Sequence, residues 1–163
     1  MQMITVDEIM TPDPYTLRES DSLQEAWRVM TEKRIRHIPV TNGAGRLLGL
    51  VTQRDVLAAT DPSTLSGIES DEDSSGITLS DIMIEDVATI HQSDNLRQAA
   101  LYMQSHKHGC VPVTNNDCLV GIITDSDFVS IAINLLEQVE LLEEQADEDT
   151  VDDVEMPDVE DLE

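Results

Sequence analysis

The chain pairs a hydroxyl with a carboxylate at the same spacing in two places. Thr52 and Asp55 follow a glycine and two aliphatic residues, and Thr124 and Asp127 repeat this arrangement. The aliphatic pair is typical of the end of a buried strand, and the polar residues after each threonine are typical of the first turn of a helix. Each threonine is therefore expected to cap a helix, and each aspartate to lie at its positive end.

Two interpretations of these junctions remain open. On the first, the threonine and the aspartate only cap and charge a helix start. On the second, a strand-to-helix junction offers a hydroxyl and a carboxylate side by side to a ligand. A sugar with vicinal hydroxyls fits such a pair, because an ionised carboxylate can accept hydrogen bonds from two hydroxyls at once.

The charge of the chain excludes several partners. The formal net charge is −25, and no lysine or arginine occurs after Lys107. This balance argues against nucleic acid and against anionic membrane surfaces as partners. The chain has no apolar run long enough to span a bilayer, and residues 1–5 lack a secretory pattern. We therefore expect a cytoplasmic, acidic protein.

The two cysteines agree with that location. In the expected hairpin with its turn at residues 115–116, Cys118 faces Val113 and not Cys110. Two unpaired thiols in a chain without a signal sequence are typical of a reducing cytosol.

The junctions belong to a longer internal repeat. Residues 78–83 correspond to residues 5–10, and the strand that contains Pro112 corresponds to the one that contains Pro39. The offset is 73 positions at the prolines and 72 at the glycines that open the junctions, so the second copy has a shorter hairpin loop.

Each copy has the pattern strand, helix, strand, strand, helix, which predicts an α+β fold. The first long helix of each copy is expected to begin at Ser20 or Asp21 and at Ser93 or Asp94. The predicted organisation is copy 1 at 3–60, a flexible linker at 61–77, copy 2 at 78–136, a helix extension at 137–146 and a disordered acidic tail at 147–163.

The last helix has apolar residues at coiled-coil spacing over fewer heptads than make this signal reliable. Those residues are Phe128, Ala132, Leu135, Val139 and Leu142. Either they pack on their own domain or they form a seam with a partner helix.

These residues resemble a tandem pair of CBS (cystathionine-β-synthase) domains, a Bateman module. The resemblance covers residues 3–136 and is strongest to stand-alone bacterial proteins of the acetoin-utilisation protein B type. It rests on the Ile-Met opening of each copy, on the aliphatic-Pro-Val strands and on the two Gly-aliphatic-aliphatic-Thr-x-x-Asp signatures. It implies two repeats packed about a pseudo-twofold axis, two ligand clefts, pairing into a homodimer and regulation without catalysis.

The resemblance also implies an adenosine-containing regulatory ligand, namely AMP, ADP, ATP or S-adenosylmethionine. The ribose hydroxyls would be bound by Asp55 and Asp127, and the ribose or phosphate by Thr52 and Thr124. The base would rest against the extended segments that contain Tyr15, Thr16 and Thr89. It would also contact the starts of the following strands, at Ile38 and Val111.

The two clefts are expected to differ in charge. Positive residues are concentrated in the first copy, and Arg54 stands beside Asp55, where its fork could reach a phosphate. The full set in the first copy is Lys33, Arg34, Arg36, His37, Arg46 and Arg54. In the second copy, Asp125 would repel a phosphate. The first cleft is therefore expected to bind phosphorylated nucleotide better, with the second either empty or occupied by an uncharged adenosine moiety.

Other chemistry is less well supported by the sequence. His106, His108 and Cys110 alternate, but they lie at a predicted helix end and lack a fourth ligand, so we expect no metal site. No catalytic motif occurs, and we expect no enzyme activity or catalytic cofactor. Two function classes stay open: a nucleotide sensor that signals through dimer or partner contacts, and a constitutive dimerisation or docking module whose clefts are not occupied and whose protein partner is unidentified.

Overall fold

A computed structural model describes residues 3–60 and 76–149. The greater part of the predicted linker and the tail from residue 150 onward lie outside these residues. The elements occur in a duplicated order, with a 3-10 turn opening copy 1 and a short helix opening copy 2. In chain order they are the 3-10 turn Val6–Glu8, β1 Thr11–Pro12, α1 Leu23–Lys33, β2 His37–Thr41, β3 Leu47–Thr52, α2 Gln53–Ala59, α3 Leu79–Ile82, β4 Ile90–His91, α4 Leu96–His106, β5 Cys110–Asn115, β6 Cys118–Thr124 and α5 Asp125–Asp149.

Helices α1 and α4 form because their apolar residues recur on one face. In α1 the buried residues are Leu23, Ala26 and Met30, and α4 buries its own residues at the same spacing. Both helices end at a residue in the left-handed conformation, Arg34 in α1 and Lys107 in α4.

The predicted caps of these helices are wrong by one or two positions. The Oγ of Ser22 accepts the first-turn hydrogen bond in α1, and Asn95 caps α4. Asp21 instead accepts from the backbone N–H of Arg18 at 2.7 Å, so its carboxylate closes the preceding turn and is not available to the helix. Asp94 accepts from His91 in the same way, at 2.8 Å.

The strands are arranged about a pseudo-twofold axis that relates the two copies. Each copy has an antiparallel hairpin, β2–β3 in the first and β5–β6 in the second. Beside the second hairpin, β4 pairs parallel with β5. Beside the first, the predicted strand at 15–17 forms only a single parallel bridge, from Leu17 to Val40. The predicted α+β fold with two CBS-like repeats is confirmed.

The opening segment of each copy docks on the other copy. β1 pairs with β6, whose residues belong to copy 2. Ile84, at the opening of copy 2, bridges Leu50 in copy 1, with backbone hydrogen bonds of 2.9 and 3.0 Å. The 3-10 turn and α3 also contact the other copy. The backbone N–H of Val6 donates to the carbonyl of Asp94, and that of Leu79 donates to the carbonyl of Asp21. Val6 and Leu79 are both completely buried, so the exchange unites the copies in one packed unit.

The expected register of Cys118 is wrong. Cys118 pairs with Asn115, because the two-residue turn lies at Asn116 and Asp117, both with positive φ, and not at 115–116. Farther from the turn the ladder shifts register between Val113 and Thr114, so Val113 pairs with Gly121. A bulge of this kind places an extra residue on one strand and so moves every later pair. Both cysteines are thiols in the structure, Cys110 buried and Cys118 exposed.

The described residues fall into two compact units that part after Asp125. The second unit contains α5 from Ser126 onward. This helix runs to Asp149, beyond the extension predicted to end at 146.

Candidate functional site

Thr52 and Asp55 form a reciprocal capping box at the start of α2. Thr52 ends β3 and its Oγ1 accepts from the backbone N–H of Asp55 at 3.2 Å. In return, Asp55 Oδ2 accepts from the backbone N–H of Thr52 at 2.9 Å and from its hydroxyl at 2.7 Å. Both side chains are half-buried. The box thus uses Oδ2 and lies at a helix N-terminus, where backbone N–H groups and the helix dipole favour an anion.

His37 lies directly beside this box. It is the first residue of β2 and pairs with Thr52 across the hairpin. Burial is the main cause that lowers the pKa of its imidazole below the ordinary value, and the positive charge of Arg36 lowers it further. The carboxylates of Asp125 and Asp55 act in the opposite direction but do not prevail. The imidazole is therefore neutral at neutral pH and lies within electrostatic reach of the signature residues of both copies.

The predicted cations divide into two groups. Arg36 and Arg54 are exposed and flank the box, and the carbonyl of Arg36 accepts from the N–H of Gln53 at 2.8 Å. Arg46 lies at the other end of β3, where its guanidinium pairs with Asp117 at 3.2 Å. Arg46 therefore links the tips of the two hairpins by an ion pair. It does not lie with the positive residues expected around the cleft.

The predicted base-binding residues differ in exposure. Tyr15 is 52% exposed and Thr16 is also exposed, in a segment that runs parallel to β2. Ile38 is completely buried in the core, so it can offer a ligand only its backbone. Lys33 places its ammonium 5.1 Å from the centre of the Tyr15 ring. The sequence analysis missed this contact, because no helical or strand spacing links two residues so far apart in the chain.

The corresponding residues of the second copy occupy equivalent elements. Thr124 is the last residue of β6, and Asp127 is the third residue of α5. Val111 is completely buried in β5, as Ile38 is in β2, and Thr89 is exposed just before β4. These positions match those of the first copy element by element.

The second copy has a carboxylate where the first has an amide. The N–H of Asp125 donates to the carbonyl of Gly109 at 3.0 Å, which repeats the bond from Gln53 to Arg36. A Cβ placed on Gly109 would lie 3.4 Å from Oδ2 of Asp125. The start of β5 therefore carries a negative group and no arginine.

The described residues contain neither a metal-ligand cluster nor a helix that could span a membrane. No cluster of three or more histidine, cysteine, aspartate or glutamate side chains there is arranged to hold a metal ion. His106 and His108 have parallel rings 5.9 Å apart. Tyr102 stacks on His106 at 4.2 Å and is tilted relative to His108. In the same part of the chain, no helix has the length and apolar character needed to cross a bilayer.

Comparison with known protein families gives two matches in this chain. The CBS domain matches residues 6–61 and again residues 79–134. Together these segments cover more than half of the sequence and include both junctions.

Known proteins with similar sequence or structure include both enzymes and CBS-pair proteins. Homoserine O-acetyltransferase from Methanocorpusculum labreanum is 34% identical over 122 residues, which are 74% of this chain and 23% of that enzyme. The chain thus spans about a quarter of the length of this relative. A putative acetoin utilization protein (AcuB) from Vibrio cholerae is 44% identical, with a TM-score of 0.74 and coverage of 86% of this chain and 99% of that one. CBSX2, a CBS-pair protein of Arabidopsis thaliana, was solved in complex with AMP; it is 28% identical, with a TM-score of 0.68 and coverage of 80% and 97%.

Proposed function

Because the chain belongs to the CBS-domain family, we propose that it is a regulatory module that binds an adenosine-containing nucleotide of the AMP, ADP and ATP class. The observation that carries this proposal is the capping box of Thr52 and Asp55. The box commits Oδ2 of Asp55 to the helix start, and Oδ1 lies outside it. A carboxylate oriented in this way can accept from the two ribose hydroxyls.

The phosphate would be bound on the same side of the box. The N-terminus of α2 supplies backbone N–H groups and a favourable dipole. Arg36 and Arg54 supply positive charge, and the imidazole of His37 can donate a hydrogen bond to phosphate. The base would rest on Tyr15 and Thr16 and on the backbone of Ile38. CBSX2, which binds AMP, supports this choice of ligand class.

The second junction would bind phosphorylated nucleotide more weakly. It offers Thr124 and Asp127 for a ribose, and Thr89 and the backbone of Val111 for a base. Asp125 is exposed and would repel a phosphate there by like charge, an effect that added salt weakens. An adenosine moiety without phosphate, such as that of S-adenosylmethionine, suits this junction better.

Binding would regulate and not catalyse. A ligand shifts a conformational equilibrium only by its differential affinity for the two states. The proposed outputs are a change in contacts between two copies in a homodimer and a change in contacts with a protein partner. The proposed location is the cytoplasm, where adenine nucleotides are abundant.

The test is thermal unfolding of the protein with AMP, ADP, ATP, S-adenosylmethionine and NAD. A ligand at about a hundred times its dissociation constant adds ~2.7 kcal/mol to the free energy of unfolding. We expect a shift with at least one adenosine ligand and its loss in Asp55→Ala. Asp81→Ala is the matched control, because Asp81 makes the same capping box with Thr78 at the start of α3. There Oδ2 of Asp81 accepts from the backbone N–H of Thr78 at 2.9 Å. Equal loss of the shift in both variants would assign it to helix capping and contradict the proposal.

A second candidate function is a constitutive docking or dimerisation module with unoccupied clefts. It is favoured by α5, whose large apolar side chains are largely exposed. Absence of a shift with all five ligands would favour this function.

A further inference from the structure

The final helix presents an apolar surface that is unusually wide for an exposed helix. Its side chains form two neighbouring rows, each with the spacing of four and then three residues. We call these six residues the α5 face: Val129, Ile133 and Leu136 in one row, and Leu135, Val139 and Leu142 in the other.

The α5 face covers about half of the circumference of the helix, at 3.6 residues per turn. Its side chains are 50–65% exposed. Contiguous exposed apolar surface of this kind marks an interaction site in a soluble protein.

The α5 face gives way to carboxylates toward the end of the helix. Glu140 follows Leu136 by one helical turn, and Glu143 follows Val139 by the same distance. The sequence of α5 contains no lysine, arginine or histidine, and its last turns are rich in glutamate and aspartate. The face is therefore apolar toward the helix start and strongly negative toward its end.

This combination restricts what can cover the face. Two copies of α5 packed in parallel would bring carboxylates against carboxylates, and like charges at helix–helix flanks disfavour pairing. An antiparallel pair would set the glutamate end of each copy against the start of the other, which carries Asp125 and Asp127 and no cation. A helix with an apolar stripe flanked by lysine or arginine would meet the apolar rows with its stripe and the two glutamates with its cations.

We propose that the α5 face is a docking surface for a basic amphipathic helix of another protein. The inference goes beyond nucleotide binding and holds whether or not the clefts are occupied. It predicts association that needs the apolar rows and that weakens as salt is raised.

The test uses the full chain and a synthetic helix of leucine and lysine, about 18 residues long so that it spans ~27 Å of α5. Binding is measured by fluorescence anisotropy at low and at high salt. A polylysine peptide of equal charge measures non-specific attraction to the acidic chain, and an uncharged leucine–glutamine helix of the same pattern measures purely apolar attraction. We expect the leucine–lysine helix to bind at least tenfold more tightly than either.

Two sets of variants locate the binding. Ile133→Ser with Leu136→Ser keeps the charge and removes part of one row, and we expect it to weaken binding at least tenfold. Leu101→Ser is the matched control, because Leu101 is 52% exposed on α4 and lies outside α5. Glu140→Gln with Glu143→Gln should reduce the salt dependence. Far-ultraviolet circular dichroism verifies that each variant is helical.

Three results would overturn the proposal. The first is binding to polylysine that is as tight as binding to the leucine–lysine helix. The second is binding that the serine substitutions leave unchanged. The third is a sedimentation mass that shows a homodimer dissociated by those same substitutions, without peptide binding, which would assign the face to a second copy of the chain.

Discussion

Gly49 of copy 1 lies directly against Met83 of copy 2. A Cβ at position 49 would come within 2.7 Å of the Met83 sulfur and 2.9 Å of the Ile84 carbonyl oxygen. Gly121 has the same relationship to Met10, and a Cβ there would also lie 3.0 Å from the Thr11 carbonyl oxygen. The glycine of each signature thus makes room for the Ile-Met segment that opens the other copy. Two motifs that are distant in sequence are coupled by one close approach.

Gly49→Ala should therefore destabilise the protein. Overpacking of a close contact typically costs ~1–3 kcal/mol, and the carbonyl of Ile84 cannot retreat without lengthening its hydrogen bond to Leu50. Gly43→Ala is the control, since the nearest atom to its Cβ would be in the Arg18 side chain at 3.6 Å. Urea unfolding measures both variants. Equal midpoints for Gly49→Ala and the unsubstituted protein would show that the close approach carries no energetic weight.

Asp125→Gln should raise the affinity of the second junction for phosphorylated nucleotide. The substitution gives copy 2 the residue that stands at the equivalent Gln53 in copy 1, and it removes a like charge from the neighbourhood of a phosphate. Isothermal titration of AMP into an Asp55→Ala background isolates the second junction. We expect heat of binding to appear, or to strengthen several-fold, when Asp125→Gln is added. An unchanged titration would mean that charge at residue 125 does not set the difference between the junctions.

His37 should make phosphate binding depend on pH. Burial and Arg36 hold its pKa below the ordinary value, and the opposing carboxylates are Asp55 and Asp125. A bound phosphate adds negative charge and raises that pKa, so binding takes up a proton and strengthens as pH falls toward the pKa of the free protein, which lies below the ordinary histidine value of about 6.5. His37→Gln should flatten this dependence relative to the unsubstituted protein, and the comparison cancels titration of the phosphate itself. Parallel pH profiles for the two proteins would exclude the linkage.

The same shift has the opposite sign for stability without ligand. Because the pKa of His37 is lowered in the folded protein, the unfolded chain takes up the proton first. The free energy of unfolding should therefore decrease as pH falls below the ordinary histidine value of about 6.5. His37→Gln should lose that part of the decrease when unfolding by urea is followed over this pH range.

The local features of the site could be predicted from the sequence. The capping box of Thr52 and Asp55 forms because a cap is decided by residue types three positions apart. The hairpins were also predictable, since their aliphatic-Pro-Val strands and polar turns are contiguous. The Gln53 and Asp125 positions are equivalent in the two copies, as the repeat alignment implies.

The long-range features could not be predicted in this way. Hydrophobic periodicity predicts that Leu79 is buried, but it does not say that Leu79 packs in the core of copy 1 with Leu23 and Ala26. The exchange of opening segments has no local signal, because it is set by contacts between residues that are far apart in the chain, such as Leu50 and Ile84. The prediction that Arg46 lies near the cleft was wrong for a related reason. Strand alternation predicts which face of the sheet a side chain is on, but it does not identify the partner Asp117, which belongs to the other hairpin.

The two thiols should differ strongly in reactivity. Cys118 is exposed near the hairpin tips, and its Sγ lies 4.0 Å from the carbonyl oxygen of Ala44. Cys110 is only 7% exposed at the start of β5, in a cluster with Leu50 and Ile122. Because a thiol reagent must reach the sulfur, whose thiolate then attacks it, Cys118 should react rapidly in the native protein.

Cys110 should react only when the chain opens. A colorimetric thiol assay should therefore count one fast thiol under native conditions and two in denaturant, and Cys118→Ser should remove the fast phase. A saturating adenosine ligand should slow the reaction of Cys110, since ligand binding lowers the population of open states. Two fast thiols in the native protein would mean that the cluster around Cys110 opens readily, which the burial of Leu50 and Ile122 beside it argues against.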